Sequence, residues 1–431
     1  MTAPRGPTPK AAAPTRFDPM PGVGHTGSMR HRRILLIACA NFVLLAAVSV
    51  IFPLLPQLQD AHGLSTSELG VMSAASFVAG LFAQLGLARY VDRGYARQLL
   101  VGAAAITAVG LFGVATSTVF WQFVLARFIC GLGYAAFGPP ARALAAAENP
   151  DEVGSNLGRL SAGELAGVVI GPVLGAILAG WLGLDAPFWV LGGICIALMV
   201  PLARIDISRL TIRTGEGELA PATVRMVARR PAVQRACLLY VALFLPVGVY
   251  DVLWARYLTD LGASAVFIGL SYTFYGLPYV AVALFGTKLI DRVGSVTAAL
   301  WGLVIVLPIT LAYGLFDDPV VLVGFSVAEA LVVAIAAPAA QAAMAEACEP
   351  HEMGTVQGLG GAGGIGGAGL AAVAMAPLYA RGGALSAFGT TVALMAIIGT
   401  GAMMLGARSP RAQASASAST SAVMPSVNTE R

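Results

Sequence analysis

Apolar residues in this chain fall in long, nearly unbroken runs. They do not show the three-or-four spacing of an amphipathic helix or the alternation of a half-buried strand. A helix needs roughly 20 apolar residues to cross a hydrocarbon layer of about 30 Å. Twelve runs come to that length: near 34–56, 67–88, 98–117, 121–146, 159–182 and 187–204, then 234–258, 265–288, 296–315, 319–343, 356–379 and 384–406. Polar stretches set them apart. Residues 1–29 are rich in Pro, Ala and Gly without an apolar period and read as a disordered tail. An Arg-rich connector covers 205–232, and a Ser/Ala-rich tail covers 408–431. The first run is too long for a secretory leader, lacks a clear cleavage site and is followed by many more spans. The pattern predicts an all-α membrane protein of twelve transmembrane helices, with one six-helix domain over 30–204 and a second over 233–407.

The two sets of spans echo each other. The loop after the second span, Gly86–Arg97, reads GLARYVDRGYAR, and Gly286–Gly294 reads GTKLIDRVG. Asp92 and Asp291 are 199 residues apart, and so are Arg93 and Arg292, Gly63 and Gly262, and Gly70 and Gly269. Six spans separate the two Asp-Arg turns. Six is even, so both halves insert the same way up, as a parallel repeat about an axis along the membrane normal.

Composition agrees with the pattern. The chain is 57% hydrophobic and 11% charged, against about 25% charged for a soluble domain. The net charge of +4 matters less than where the charges lie. Arg30, Arg32, Arg33, Arg89, Arg93, Arg97, Arg142, Arg159, the connector arginines, Lys288, Arg292, Arg408 and Arg411 all fall on one side if twelve spans alternate. The other side receives Arg256 and Arg381 with Asp60, Glu68, Asp185, Asp260, Asp317 and Asp318. The basic side is the cytoplasm, so both termini are expected there, in a plasma (inner) membrane protein. Trp121, Trp181, Trp189 and Trp254 fall near outer helix ends, where an interfacial belt would hold them. The five cysteines form no CxxC pair and read as small buried hydrophobes. The four histidines lie in tails or loops, and no HExxH, GxSxG or Walker sequence occurs. No enzyme, cofactor, metal site, ATP-driven step or nucleic-acid partner is expected. The Gly358–Gly369 run contains G-x-G-x-x-G, but no strand precedes it; it reads as a closely packed eleventh span.

Charge inside the spans is the candidate chemistry. Arg127 lies within the fourth span, where a guanidinium costs roughly 2.5–3.5 kcal/mol on insertion scales. It could be a packed or snorkelling residue, or a cavity-facing charge. Glu329 lies near the middle of the tenth span, Asp251 in the outer third of the seventh, and Glu164 in the first turns of the fifth. A carboxyl group held in lipid is either neutral or paired, and can then take up and release a proton. Static hydrogen bonds to a neighbouring helix are the plain alternative. Arg256 lies five residues beyond Asp251, so an outer ion pair between them is open. Asn41, Gln84 and Gln122 are further candidates for polar cavity contacts. Gly167, Gly171, Pro172 and Gly175 form a small-residue stripe with a bend in the fifth span.

These patterns resemble the major facilitator superfamily. The Asp-Arg turn is similar to its signature after the second span, with Asp92, Arg93 and Arg97 matching, Tyr95 where the family has Gly and Ala96 where it often has a base. The copy at Asp291, Arg292 and Gly294 keeps the spacing better. The resemblance implies that these turns latch the cytoplasmic ends of two halves. Arg127 with Gly131 and Gly133 is similar to the fourth-span motif, whose Arg is implicated in proton coupling. The Gly167–Gly175 stripe resembles the fifth-span motif of drug:proton antiporters. The resemblance therefore implies a monomeric, lipid-embedded exporter that exchanges a small, amphipathic organic molecule for protons by alternating access. Asp251 or Glu329 would carry the proton. Proton-coupled or facilitated import of a metabolite is the main alternative, and a non-transporting membrane sensor a further one.

Overall fold

The computed structural model describes residues 23–148, 153–207, 221–283, 286–349 and 352–407. Among them every regular element is a helix. Helix α1, Val23–Ser49, begins inside the stretch expected as a disordered tail and runs through a short 3₁₀ turn, Phe52–Leu54, into α2, Leu55–His62. Then follow α3 (Thr66–Tyr90), α4 (Ala96–Thr116), α5 (Phe120–Glu148), α6 (Val153–Leu182) and α7 (Ala186–Ala203). A short α8, Pro221–Ala228, lies in the expected connector. The second series is α9 (Pro231–Asp260), α10 (Ala265–Ala283), α11 (Gly286–Val293), α12 (Ser295–Ala312), α13 (Pro319–Glu346) and α14 (Met353–Ala407). The tail segments 1–22 and 408–431 and the heart of the connector, 208–220, lie outside the described residues.

Among the described residues, ten helices are long and apolar enough to cross a membrane. The last of them, α14, is broken at Gly383 (φ 69°, ψ −168°), so its 55 residues form two consecutive rods. Only a residue without a Cβ takes that conformation without strain. Helix α10 has 19 residues and stands outside that set of ten. The chain is thus a multi-pass membrane protein.

Helix contacts repeat between the two series. In the first, α1 packs on α6, α4 on α5 and on α7, and α3 on α5; in the second, α9 packs on α14, α12 on α13 and on the distal part of α14, and α10 on α13. The series meet through α3 against α14 and α6 against α10, which is again the same pairing taken twice. With lipid outside, close backbone approach rather than hydrophobic exclusion holds such helices together. The stripe in α6 shows this directly. A methyl group on Gly167 would stand 2.7 Å from the Phe42 carbonyl oxygen, and one on Gly171 would stand 2.6 Å from that of Ala46. Gly175 abuts Val50 and Gly163 abuts Ala38 in the same way, so the stripe starts one turn earlier than the sequence motif marked. Ser49 adds a hydrogen bond to the Gly167 carbonyl at 3.2 Å. Pro172 is buried beside it, and Gly269 of α10 closes on the Pro172 carbonyl. The glycine run of α14 is helical throughout, with Gly360 against Met344, Gly364 against Tyr240 and Gly369 against Phe77.

Candidate functional site

Between the two series lies a void of about 150 Å³. It is lined by Phe52 of the 3₁₀ turn, Val168 of α6, Val247, Tyr250, Asp251 and Trp254 of α9, Ser271, Tyr272 and Tyr275 of α10, Tyr313 at the end of α12, and Ser326 and Glu329 of α13. Two of the four ionisable candidates are on this wall, and a third reaches it through a partner.

Glu329 is 1% exposed. Its Oε1 accepts a hydrogen bond from the Tyr250 hydroxyl at 2.6 Å, and its Oε2 accepts one from Tyr313 at 2.5 Å. No Lys, Arg or His among the described residues is within ion-pair distance of it. Tyr250, Trp254 and Tyr313 stand edge to face, with centroids 5.3–6.4 Å apart. This geometry favours aromatic pairs, because ring edges meet ring faces.

Asp251, one residue on from Tyr250, meets a cation instead. Its Oδ2 lies 3.3 Å from Nη2 of Arg127. The side chains are 6% and 2% exposed, and they join α9 to α5, so the pair bridges the two series. Arg127 holds its place because its own helix packs tightly there: Gly131 abuts Ser76, Gly133 abuts Thr107, and the Ser76 hydroxyl bonds the Arg127 carbonyl at 3.0 Å. Nε of Arg127 has no protein partner among the described residues.

Glu164 sits apart. Its Oε1 accepts from the Tyr134 hydroxyl at 2.7 Å, and Arg142 lies 3.8 Å from its Oε2, in a half-open position. Asp251 and Arg256 do not form the ion pair that the sequence left open. Arg256 turns to Asp60 of α2 at 3.0 Å and to Asp260 on its own helix, and Tyr379 donates to Asp260 at 2.6 Å. The reason is helical geometry: four residues place two side chains on one face, whereas five carry them around it.

Other expectations are redirected. Asn41 is 4% exposed and donates to the Leu160 carbonyl at 3.1 Å, a tie between α1 and α6 rather than a cavity group. Gln122 lies in the first turn of α5, where its Oε1 accepts from the Thr118 backbone N–H at 2.8 Å; it caps a helix start and does not line the void. The side chains of Gln84 and Asp92 lie outside the described residues. Arg93 is exposed and lies over the Tyr90 ring at 5.4 Å, and Arg97 donates to the Ile205 carbonyl at 3.1 Å. Asp291 and Arg292 are exposed. The turn holding Asp92 is a single π-helical stretch, Val91–Tyr95, opened by Gly94 at φ 87°. Trp121 and Trp181 are strongly exposed and Trp189 half so, but Trp254 is only 5% exposed and bonds Ser271 at 2.8 Å; it belongs to the void, not to an interfacial belt. Cys39 is exposed, against the expected burial.

Sequence reasoning missed the aromatic wall. The signal was there: Tyr272 and Tyr275 stand at helical spacing inside an apolar run, far from the interface that tyrosines prefer.

The sequence profile of the Major Facilitator Superfamily matches residues 37–250 and 236–427. A multi-drug resistance efflux pump PmrA homolog of Lactococcus lactis is 25% identical over 304 residues, 67% of this chain and 73% of that protein. The multidrug resistance protein MdtG of Serratia proteamaculans is 28% identical over 39% of this chain and 43% of its own length. A staphyloferrin B transporter of Staphylococcus aureus is 32% identical over 36% and 38%. The chain therefore spans less than half of the latter two relatives in these alignments. Among solved structures, a bacterial homolog of the human lysosomal transporter Spinster, inward-facing and unoccupied, superposes with a TM-score of 0.69 at 15% identity, covering 87% of this chain and 96% of that one. The nucleoside transporter NupG gives 0.71 at 12%, covering 88% and 100%.

Proposed function

Because the chain belongs to the Major Facilitator Superfamily, and so is a secondary transporter of a small molecule, we propose that it exports a small amphipathic organic molecule in exchange for protons. The family match and the multidrug exporters among its relatives support the reading. What carries it is Glu329: a carboxyl group with no cation among the described residues in reach, held by two phenols on the wall of the void between the halves.

In this reading α14 counts as two spans and α10 as another, giving twelve helices in two halves of six, with both termini cytoplasmic. The halves then touch along the outer parts of their helices, where Gly70 meets Ala372 and Gly269 meets Pro172. Arg256 on Asp60 straps the outer rim. In this reading the described state is the inward-facing one. A rocking motion would trade those contacts for others at the cytoplasmic turns, where Asp92, Arg93, Asp291 and Arg292 are placed to latch. Glu329 takes the proton. The Arg127–Asp251 pair bridges the halves beside the void and senses the exchange.

The reading is tested in proteoliposomes that hold purified full-length protein and a fluorescent proton indicator. An imposed pH gradient should drive cargo counterflow, and Glu329→Gln should abolish the coupled proton flux while leaving the protein folded. Full pH-driven transport in Glu329→Gln would end the assignment.

A further inference from the structure

A cluster of sulfur atoms lies away from the void, at the connector end of α9 and α13. The Cys237 thiol, in α9, stands 3.8 Å from the thioether sulfur of Met344, in the last turn of α13. Cys348 follows four residues after Met344, just beyond the helix end, and so falls on the same side of the chain. Its thiol turns back to the carbonyls of Met344 and Ala345, at 3.4 and 3.6 Å. Cys237 and Cys348 pack against one small apolar cluster that contains Val227, Val233 and Met344, and they are near enough for a charge on one to be felt by the other.

Gly360 of α14 makes the room. A methyl group there would collide with the Met344 sulfur and stand 3.7 Å from that of Cys237. Sulfurs from two helices thus converge on a wall that a third helix leaves bare. A second void, of about 300 Å³, opens beside Cys237 between Ala228, Gln234, Leu359 and Leu405, and gives an ion a way in.

The donor set decides which ion. Metal–thiolate bonds are about 2.3 Å long, which sets the sulfurs of a trigonal or tetrahedral site about 3.8–4 Å apart. Cys237 and Met344 already hold that spacing. Zinc takes four ligands drawn from thiolate, imidazole and carboxylate, and a thioether is not among them. The carboxylate on this side, Glu352, gives both oxygens to Arg230, at 2.7 and 2.9 Å. Among the described residues no group of three His, Cys, Asp or Glu is placed to hold a metal by itself. What remains is two thiols and a thioether, soft donors that suit Cu(I). The other cysteines are placed differently: Cys130 and Cys195 are sealed in the bundle, and Cys39 lies exposed on α1.

We propose that Cys237, Met344 and Cys348 bind one soft monovalent metal ion, Cu(I) or its analogue Ag(I), through three sulfurs. Each thiol that coordinates gives its proton to solvent as its metal–sulfur bond forms, because the thiolate is the ligand, and the metal keeps its oxidation state. The ion joins α9 to α13 beside the connector. The helix between Cys237 and Tyr250 of the void is about 20 Å long. The site is therefore distinct from the void and does not depend on the export reading.

The test titrates purified full-length protein, reduced and free of oxygen, against the coloured Cu(I)–bicinchoninate complex. One equivalent of Cu(I) per chain should leave the dye, and X-ray absorption at the copper edge should show three sulfur neighbours. Met344→Leu keeps the apolar volume and should weaken binding at least tenfold. Cys237→Ser and Cys348→Ser should each abolish the one-to-one uptake. Cys39→Ser should bind as the unaltered protein does, and Zn(II) in excess should leave the copper in place. Absent uptake, unchanged affinity in Met344→Leu, displacement by Zn(II), or a loss that follows Cys39 would overturn the site. Met344→Leu changes no thiol and no charge, so it tests the proposal even where a cysteine variant folds poorly. Copper uptake and proton-driven export are read independently, and the failure of one leaves the other standing.

Discussion

Two carboxylates, Asp251 on α9 and Glu329 on α13, line the same void and are both nearly sealed from solvent, yet they are kept in opposite ways. Asp251 has a guanidinium at 3.3 Å. Glu329 has, among the described residues, only the hydroxyls of Tyr250 and Tyr313. A buried ion pair resists neutralisation of either member, because removing one charge strands the other. A carboxyl group held by hydroxyls strands nothing when it takes a proton, since a hydroxyl can turn and accept as well as donate. The comparison underlies the different work proposed for two residues of the same chemical class: one to join helices, the other to exchange a proton.

The largest effect should come from breaking the compensated site. Asp251→Asn leaves Arg127 buried and unpaired, which should cost about 3–5 kcal/mol. Thermal unfolding of the purified protein should show it as a clear drop in Tm. Adding Arg127→Gln should recover most of the loss, because the stranded charge is then gone. A double variant as unstable as the single one would mean that the pair is not the unit described, and the contrast with Glu329 would lapse.

Removing one phenol probes the other side. Tyr313→Phe or Tyr250→Phe takes one donor from Glu329 and leaves the ring packing intact. The loss should be about 1–3 kcal/mol, the range for a buried polar group deprived of one partner. It should appear as a smaller Tm shift than that of Asp251→Asn, together with a displaced pH profile of transport. A phenol variant with wild-type stability and an unmoved profile would show that the hydroxyls do not govern the acid.

The two acids were also unequally legible in the sequence. Charge inside an apolar run stands out because lipid makes it costly, so Arg127, Asp251 and Glu329 were all found. Their partners were not. Arg127 and Asp251 are 124 residues apart, and Tyr250 and Glu329 are 79 apart, and no local period carries such distances. Nearness along the chain pointed to Arg256 instead, five residues on, where the helix turns it away. Trp254 was read as interfacial from its place near a helix end, but its N–H finds Ser271 inside the bundle and removes the reason to reach water. The fold was more readable than the site. Long apolar runs and a 199-residue repeat are one-dimensional signals, whereas a cavity wall is assembled from α6, α9, α10, α12 and α13 at once.

A second ion pair isolates what burial contributes. Arg256 reaches Asp60 at 3.0 Å and so ties α9 to α2, crossing the same divide between the helix series as Arg127 and Asp251. Composition and span are alike, but here the Asp60 side chain is 65% exposed. Water solvates each partner after the other is removed, so exposed pairs are worth about 0–1 kcal/mol. Asp60→Asn should therefore shift Tm by less than any variant above. Its effect should appear in conformation instead, since even a small bias acts on states that differ by a few kcal/mol. With the native cysteines replaced and Ser326→Cys as a reporter on the void, a membrane-impermeant thiol reagent added outside should react severalfold faster in Asp60→Asn. If Asp60→Asn destabilised the fold as much as Asp251→Asn does, exposure would not be the variable that separates these sites. The contrast drawn between Asp251 and Glu329 would then have to rest on partner chemistry alone.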